Sequence, residues 1–361
     1  MKIAVVGAGI MGRLLALSLT ERGHEVSLYD QGNAYSVNCS MVAAGLLAPI
    51  TELDKSPDII RILGEAALQQ HWPTLLNKLS KEIYFRQTGS LVIAHPNDQQ
   101  EWRRFSNRID KRLPSSVAQK NSFYTTFTQT ELAAFEPALS KFHQAHYFPS
   151  EAHIDNQQVM AAILNEFLMR KGYYYPQITI KNTQPKTLIL ANQQLSFDLV
   201  CDCRGVGAQA IFPDLHAIRG ELICLHAPEV KLTRPVRFLH PRYSLYIVPR
   251  ENDLYLVGAS EIASADVSQI TVRTALELLT AVYYLHPGFS EATIVKTMTQ
   301  CRPTLTNYLP AIKYTDGFVA VNGLYRHGFL IAPTLVNEVM HWISDGKNVL
   351  NHPELWEQYH V

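Results

Sequence analysis

The stretch that decides the fold is Lys2–Asp30, "KIAVVGAGIMGRLLALSLTERGHEVSLYD". Ile3 to Val6 is a short apolar run, and Gly7, Gly9 and Gly12 follow it as G-x-G-x-x-G. Ala16 and Leu19 continue at helical spacing, Gly23 stops the helix, and "HEVSLYD" reads as a second strand ending in Asp30. The pattern predicts the strand–helix–strand opening of a doubly wound α/β dinucleotide fold. Gly7 permits the tight turn, Gly9 lets the backbone approach a pyrophosphate, and Gly12 lets the helix pack on the strand. The helix starts at Ile10 and Met11, where unpaired N–H groups and the positive dipole end face the phosphates. Asp30, 18 residues after Gly12, is placed to accept hydrogen bonds from ribose hydroxyls. The turn does not by itself choose between NAD and FAD.

The next segment, "NCSMVAAGLLAPI" (Asn38 to Ile50), bears on that choice. Instead of a further strand and helix there is a small, apolar run. Its turn, Ala43-Ala44-Gly45, would let the backbone lie against something flat; an ordinary buried loop is the alternative. Farther on, Pro57 to Lys81 predicts an amphipathic helix, with Ile60, Leu63, Ala67, Trp72, Leu75 and Leu79 on its apolar side. Gly89 to His95 reads as a strand, residues 97–110 as a helix, and Lys111 to Ser122 as a surface connection. Thr130 is expected to cap a short helix, and Asp155 a longer one that stops at Gly172. "QITIKN" and "KTLILAN" pair around "TQP", and "FDLVCDCRGVGAQ" is a strand entering the turn Gly205-Val206-Gly207. "RYSLYIVPRENDLYLVGAS" predicts a hairpin turning at Glu251-Asn252-Asp253, with Tyr246 and Val248 on one face and Leu245 and Ile247 on the other. The segment from Val272 reads as a helix ending before Pro287, "GFVAVNGL" as a strand, and Pro333 to Ser344 as the last helix.

The chain has 361 residues, 47% hydrophobic and 18% charged, which suits two folded domains rather than disorder. Lys+Arg and Asp+Glu are 32 each, so charge gives no reason to expect nucleic acid or an anionic membrane as partner. The five cysteines are odd in number and irregularly spaced, which argues against a disulfide framework and fits a reducing, cytoplasmic setting. Cys201-Asp202-Cys203 lacks a second Cys/His pair at finger spacing, so these are expected to be buried strand cysteines and no metal is expected. Arg13 interrupts the apolar N-terminal run, which argues against a signal peptide. No run of roughly 18 apolar residues suggests a membrane span. There is no G-x-S-x-G elbow and no Walker loop.

Near the end, "NGLYRHGFLIAP" (Asn322 to Pro333) puts Arg326 and His327 between two glycines and then enters an apolar helix. A buried cation needs a partner. An anionic ligand is one reading, and a structural acid such as Glu221 or Glu338 is the other. Arg302 precedes Pro303, so its backbone should be extended and its guanidinium able to fork a carboxylate. A surface ion pair is the alternative for Arg302, and core filling for Tyr246.

Taken in order, GAGIMG, Asp30, MVAAGLLAP, RGEL, YIVPR, CRPTL and GLYRHGFLIAP resemble the flavin-dependent D-amino-acid oxidase family, and within it the glycine oxidases of thiamine biosynthesis. The similarity runs from Lys2 to about Ser344. It implies a Rossmann-like FAD domain interleaved with a substrate domain on a large antiparallel sheet. The expected division is 1–81, 150–217 and 297–361 for FAD, and 82–149 and 218–296 for substrate. The resemblance implies that Gly7, Gly9, Ile10, Met11, Gly12 and Asp30 hold the ADP half of FAD. Ala43, Ala44, Gly45 and Leu46 would line the flavin, with Leu46 also at the substrate. Ile178 would meet the adenine, and Gly205 would return the chain to the cofactor. Tyr246 and Arg302 fall where the family binds a substrate carboxylate, and Arg326 where it has a second arginine. His327, Gly328, Phe329, Leu330 and Ile331 would open the helix that faces the flavin pyrimidine.

The implied reaction is hydride removal from glycine or another small amino acid or amine, giving an imine. Dioxygen would be reduced to hydrogen peroxide, and the imine would supply a thiazole synthase. Two other readings stay open: a dehydrogenase with a non-oxygen acceptor, and a flavoprotein acting on modified tRNA. A homo-oligomer is likewise an open expectation. The chain departs from the family at Asp30 (often Glu), Met41 (often small and polar), His327 (often Asn) and CRGVG, where a turn with a tryptophan is more usual.

Overall fold

The expected opening unit forms. Lys2–Val6 and Glu25–Tyr29 pair in parallel, joined by the helix Ile10–Glu21. The structure, a computed structural model, describes residues 1–113, 122–240, 244–345 and 350–360. Most of the expected connection Lys111–Ser122 therefore lies outside the described residues.

These strands sit in a seven-stranded sheet of order Trp356–Gln358, Ala311–Thr315, Phe318–Asn322, Leu199–Asp202, Lys2–Val6, Glu25–Tyr29, Tyr173–Tyr175. Its pairings are parallel except Ala311–Thr315 against Phe318–Asn322. Side chains alternate across such a sheet, and a parallel sheet is covered on both faces. Ile3 and Val5 pack with the first helix, the helix Asn156–Met169 and the last helix. Ala4 and Val6 face the other way, toward Leu188 and Phe212. That second layer includes a three-stranded sheet, Asn182–Gln184, Thr187–Ile189 and Gln194–Ser196, one strand more than the expected pair.

A nine-stranded sheet forms the other half. It is antiparallel except where Ser90–Ala94 pairs in parallel with Val236–Leu239. Its long strands His216–His226 and Thr293–Thr304 pair with each other, which puts Ile218 beside Arg302. The expected domain boundaries at 217 and 297 fall within His216–His226 and Thr293–Thr304. The hairpin Ser244–Pro249/Leu254–Gly258 forms as expected. Leu245 and Ile247 enter the core under the helix Val272–Leu285, whereas Tyr246 and Val248 face Val42 and Ala44.

Local signals misplaced two helix starts. Thr128, not Thr130, caps Gln129–Phe135, in a capping box with Glu131. The last helix begins at Gly328, where the resemblance implied, and five residues before Pro333, where the local pattern put it. An interior proline removes one N–H and leaves a carbonyl one turn back without its helical donor. That carbonyl belongs to Phe329, and it accepts instead from Trp72 Nε1 at 3.1 Å. Trp72 comes from the helix expected at Pro57–Lys81, which runs from Asp58 to Leu76 with a π turn at Ala67–His71.

Candidate active site

At the glycine turn, each glycine answers a different constraint. Gly7 has φ +99°, and a Cβ there would lie 2.5 Å from the Cys203 carbonyl. A Cβ on Gly12 would lie 1.8 Å from the Gly7 carbonyl, so helix and turn are in backbone contact. Around Gly9 a Cβ would meet only Ser40 Oγ, at 3.3 Å. Gly9 caps the first helix without a side chain, and no acid occupies the first turn. The Ile10 N–H donates to Ser40 Oγ at 2.9 Å, and the positive end of the helix dipole, with no acid in that turn, favours an anion. Asp30 Oδ2 accepts from the Ala8 N–H at 2.6 Å and Oδ1 from Gly32 N–H at 2.8 Å, so Asp30 also holds the turn. The Ile178 N–H donates to the Asp30 carbonyl at 2.9 Å, which brings that residue to the end of the strand. Gly205 has φ +57°, and its carbonyl accepts from Asn322 Nδ2 at 2.8 Å. Met11 and Ile331 point into the core, leaving only their backbones for a ligand.

Sequence reasoning missed the role of Arg13. It is buried and donates to the carbonyls of Ala8, Met160 and Ala34 at 2.7–2.8 Å. One guanidinium thus ties the glycine turn to the helix Asn156–Met169 and to the loop after Asp30.

A cavity opens where Ala43–Leu46, the start of the last helix and the nine-stranded sheet converge. Ile10 from the first helix reaches it, as do His327, Gly328, Phe329 and Leu330. On the sheet side lie Arg302 and Tyr246. A Cβ on Gly220 would sit 2.4 Å from Arg302 Nη2, so the guanidinium lies directly on that glycine. Its Nη1 donates to the Ser260 carbonyl at 3.0 Å. Gly258 is likewise covered, with Tyr246 Oη 3.3 Å from its would-be Cβ. Burial pushes the Tyr246 phenol up, against Arg302, so it remains a neutral donor.

Glycine also permits close backbone packing nearby. Gly45 (φ +63°) packs against the Ile154 carbonyl, 2.0 Å from a would-be Cβ. Gly323 (φ +76°) packs against Leu305 and the Leu309 carbonyl.

Arg326 is on the cavity wall, but neither acid named from the sequence partners it. Glu221 pairs with Arg219, and Glu338 accepts from Asn351. Arg326 Nε donates to Glu52 Oε2 at 2.7 Å, and Nη1 donates to Glu261 Oε1. Burial opposes the charge on Glu52, yet Arg326, His327 and Arg237 hold its pKa down at about 2. His327 is buried, 3.6 Å from Glu52 through Nδ1 and 3.0 Å from Ser56 Oγ through Nε2. Burial lowers its pKa to about 4, so the imidazole is neutral at pH 7.

Glu151 is a second missed group. It is fully buried at the cavity and accepts from Thr51 N–H at 2.7 Å, Thr51 Oγ1 at 3.1 Å and Ser90 Oγ. Burial, reinforced by Glu52, raises its pKa to about 7 despite those donors. Among the described residues no cluster of His, Cys, Asp and Glu is suited to a metal, and the five cysteines are free.

A helix end at a glycine turn, an acid beside it, and a cavity that the helix reaches through Ile10 suit a dinucleotide that carries its reactive ring into the cavity. The family description "FAD dependent oxidoreductase" matches residues 2–339, and the chain belongs to that family, the D-amino-acid oxidase (DAO) family. It is an FAD-dependent oxidoreductase. It is 35% identical over 343 residues to a Rhizobium etli protein named as a thiamine biosynthesis oxidoreductase, ThiO, covering 94% of this chain and 95% of that one. The fold is similar to that of glycine oxidase from Geobacillus kaustophilus, with a TM-score of 0.83 and 18% identity over 100% of this chain and 99% of that one. It is similar also to iminodiacetate oxidase from Chelativorans sp., with a TM-score of 0.82 and 20% identity over 99% of each chain. Among the described residues no helix is long and apolar enough to cross a membrane.

Proposed function

We propose that the protein oxidises glycine, or an amino acid or amine of similar size, to the imine, with dioxygen as acceptor and hydrogen peroxide as co-product. The observation that carries this reading is the pairing of Arg302 on Gly220 with Tyr246 on Gly258, at the floor of one cavity. Arg302 supplies a fixed fork for the substrate carboxylate, and Tyr246 a neutral hydroxyl donor beside it. Holding the carboxylate fixes the α-carbon, and positioning of this kind supplies much of the catalysis. The substrate amine must lose its proton before hydride can leave Cα. Gly7, Gly9, Gly12, Ile10 and Asp30 would hold the ADP half of FAD. Ala43–Leu46 and His327–Leu330 would hold its ring. FAD, when bound, supplies acceptance of the two electrons.

The similarity to ThiO supports a place in thiamine biosynthesis, with the imine passing to a thiazole-forming enzyme in the cytoplasm. The test is peroxide release by the purified protein with glycine, sarcosine and D-alanine, read beside its absorption spectrum. Peroxide from glycine supports the proposal. A flavin bleached by amine without peroxide means a dehydrogenase instead. A flavin that no small amine bleaches overturns the substrate assignment and brings the tRNA reading forward.

A further inference from the structure

Arg326 is already occupied. Two carboxylates, Glu52 and Glu261, hold one guanidinium, and all three side chains line the cavity. Arg326 and Glu52 are largely buried, and Glu261 is about one-third exposed. The two acids outnumber the one guanidinium, and the other cations that act on them are engaged elsewhere or solvent-exposed: Arg302 takes the first carboxylate on the reading proposed above. His327 is neutral at pH 7. Arg237 donates to the Thr51 carbonyl and pairs with Asp54. Lys55 lies 4.0 Å from Glu261 with its own side chain 43% exposed, so solvent screens it. The backbone leading into Glu261 is anchored. Ser260, its neighbour, has its carbonyl on Arg302 and its N–H on the Glu221 carbonyl.

We propose that Glu52 and Glu261 cap Arg326 and make the enzyme selective for amino acids with a single carboxylate, Glu261 being the specificity-determining residue. The proposal rests on the reading of Arg302 as the carboxylate site. One carboxylate binds at Arg302. A second would meet the capped arginine and the excess charge of its two acids, and like-charge juxtaposition is a strong means of rejecting a wrong ligand. The ammonium end of a zwitterion meets attraction at the same wall.

The test uses the FAD-loaded protein and does not need turnover. Acetate and malonate are titrated while the visible flavin spectrum is followed. The wild type should bind acetate at least tenfold more tightly than malonate. Glu261→Gln removes one of the two negative charges on Arg326 while Glu52 still holds its Nε, so it should shift that ratio by about tenfold or more toward malonate with acetate little changed. Glu261→Asp keeps the charge and should retain the wild-type preference. Equal affinities in the wild type, or an unchanged ratio in Glu261→Gln, would overturn the proposal. An unchanged flavin spectrum in each variant shows that the fold is retained. If neither anion binds the wild type, the Arg302 reading fails and the selectivity proposal falls with it. Acetate binding without malonate discrimination rejects the selectivity proposal alone.

Discussion

At the scale of single residues, the site is a set of ionisable groups whose partners come from far along the chain. Arg302 is the group on which substrate binding turns. Arg302→Lys keeps a charge but loses the planar fork, and such a loss is worth roughly 2 kcal/mol or more. Steady-state kinetics should show KM for glycine raised by roughly thirtyfold or more, with KM moving more than kcat. Glu151 makes a different prediction. The folded protein keeps its proton up to about pH 7, whereas the unfolded chain loses it near the ordinary 4.5. The stability this contributes is complete below the unfolded value and is lost as pH rises through about 7. Glu151→Gln removes that loss. Urea unfolding at about pH 5 and about pH 8 should show wild-type stability falling with pH relative to the variant, by on the order of 3 kcal/mol. Equal pH slopes would show that Glu151 is charged throughout. The hairpin pattern put Tyr246 on the face away from Leu245 and Ile247, and it and Arg302 line the cavity, but the partners of Arg326 were not legible. Glu52 and Glu261 lie 274 and 65 residues from it, and no local rule spans such distances.

At the scale of elements, most strands and helices were legible from period and punctuation, and the misses have identifiable causes. Pro333 was read as a helix start because proline is favoured in the first turn. The structure puts it inside a helix, where Trp72 supplies the missing donor from another element. A long-range hydrogen bond that licenses an interior proline leaves no local mark in the sequence. The parallel pairing of Ser90–Ala94 with Val236–Leu239 was missed for the same reason, since strand direction is not written in a strand. The tight turn at Gly7 and the close packing at Gly12, by contrast, were legible, and substitution can separate them from the role proposed for Gly9. Gly12→Ala places a methyl 1.8 Å from the Gly7 carbonyl and should break the helix–turn contact, so that apoprotein stability and FAD content fall together. Gly9→Ala meets only Ser40 Oγ at 3.3 Å, so the fold should stand while FAD affinity falls about tenfold or more. Thermal melting of the apoproteins, with FAD titration by flavin fluorescence, measures both. Gly9→Ala with unchanged FAD affinity would remove the turn from the cofactor site.

At the scale of the whole molecule, the site draws on segments that fold into different layers. The glycine turn belongs to the seven-stranded sheet, Arg302 and Tyr246 to the nine-stranded one, and Ala43–Leu46 runs between them. Arg13 and Glu151 are internal ties, the first within the dinucleotide half, the second joining Thr51 to Ser90. A cofactor lying from the turn to the cavity would touch all three segments and should act as a further tie. A ligand that binds only the folded state stabilises it by RT ln(1 + [L]/Kd), about 2.7 kcal/mol at a hundredfold excess over Kd. The apoprotein should therefore melt several degrees below the FAD-loaded protein, and its Tm should climb with the logarithm of added FAD. ADP fills only the turn, so it should recover part of that rise without protecting the loop Cys39–Ala48. Differential scanning fluorimetry measures the shifts, and limited proteolysis of the loop reports its protection. A full rise with ADP alone would mean that the turn, the loop and the last helix do not act as one site. A partial rise, completed only by FAD, would mean that the two sheets are held together in part by the molecule they bind.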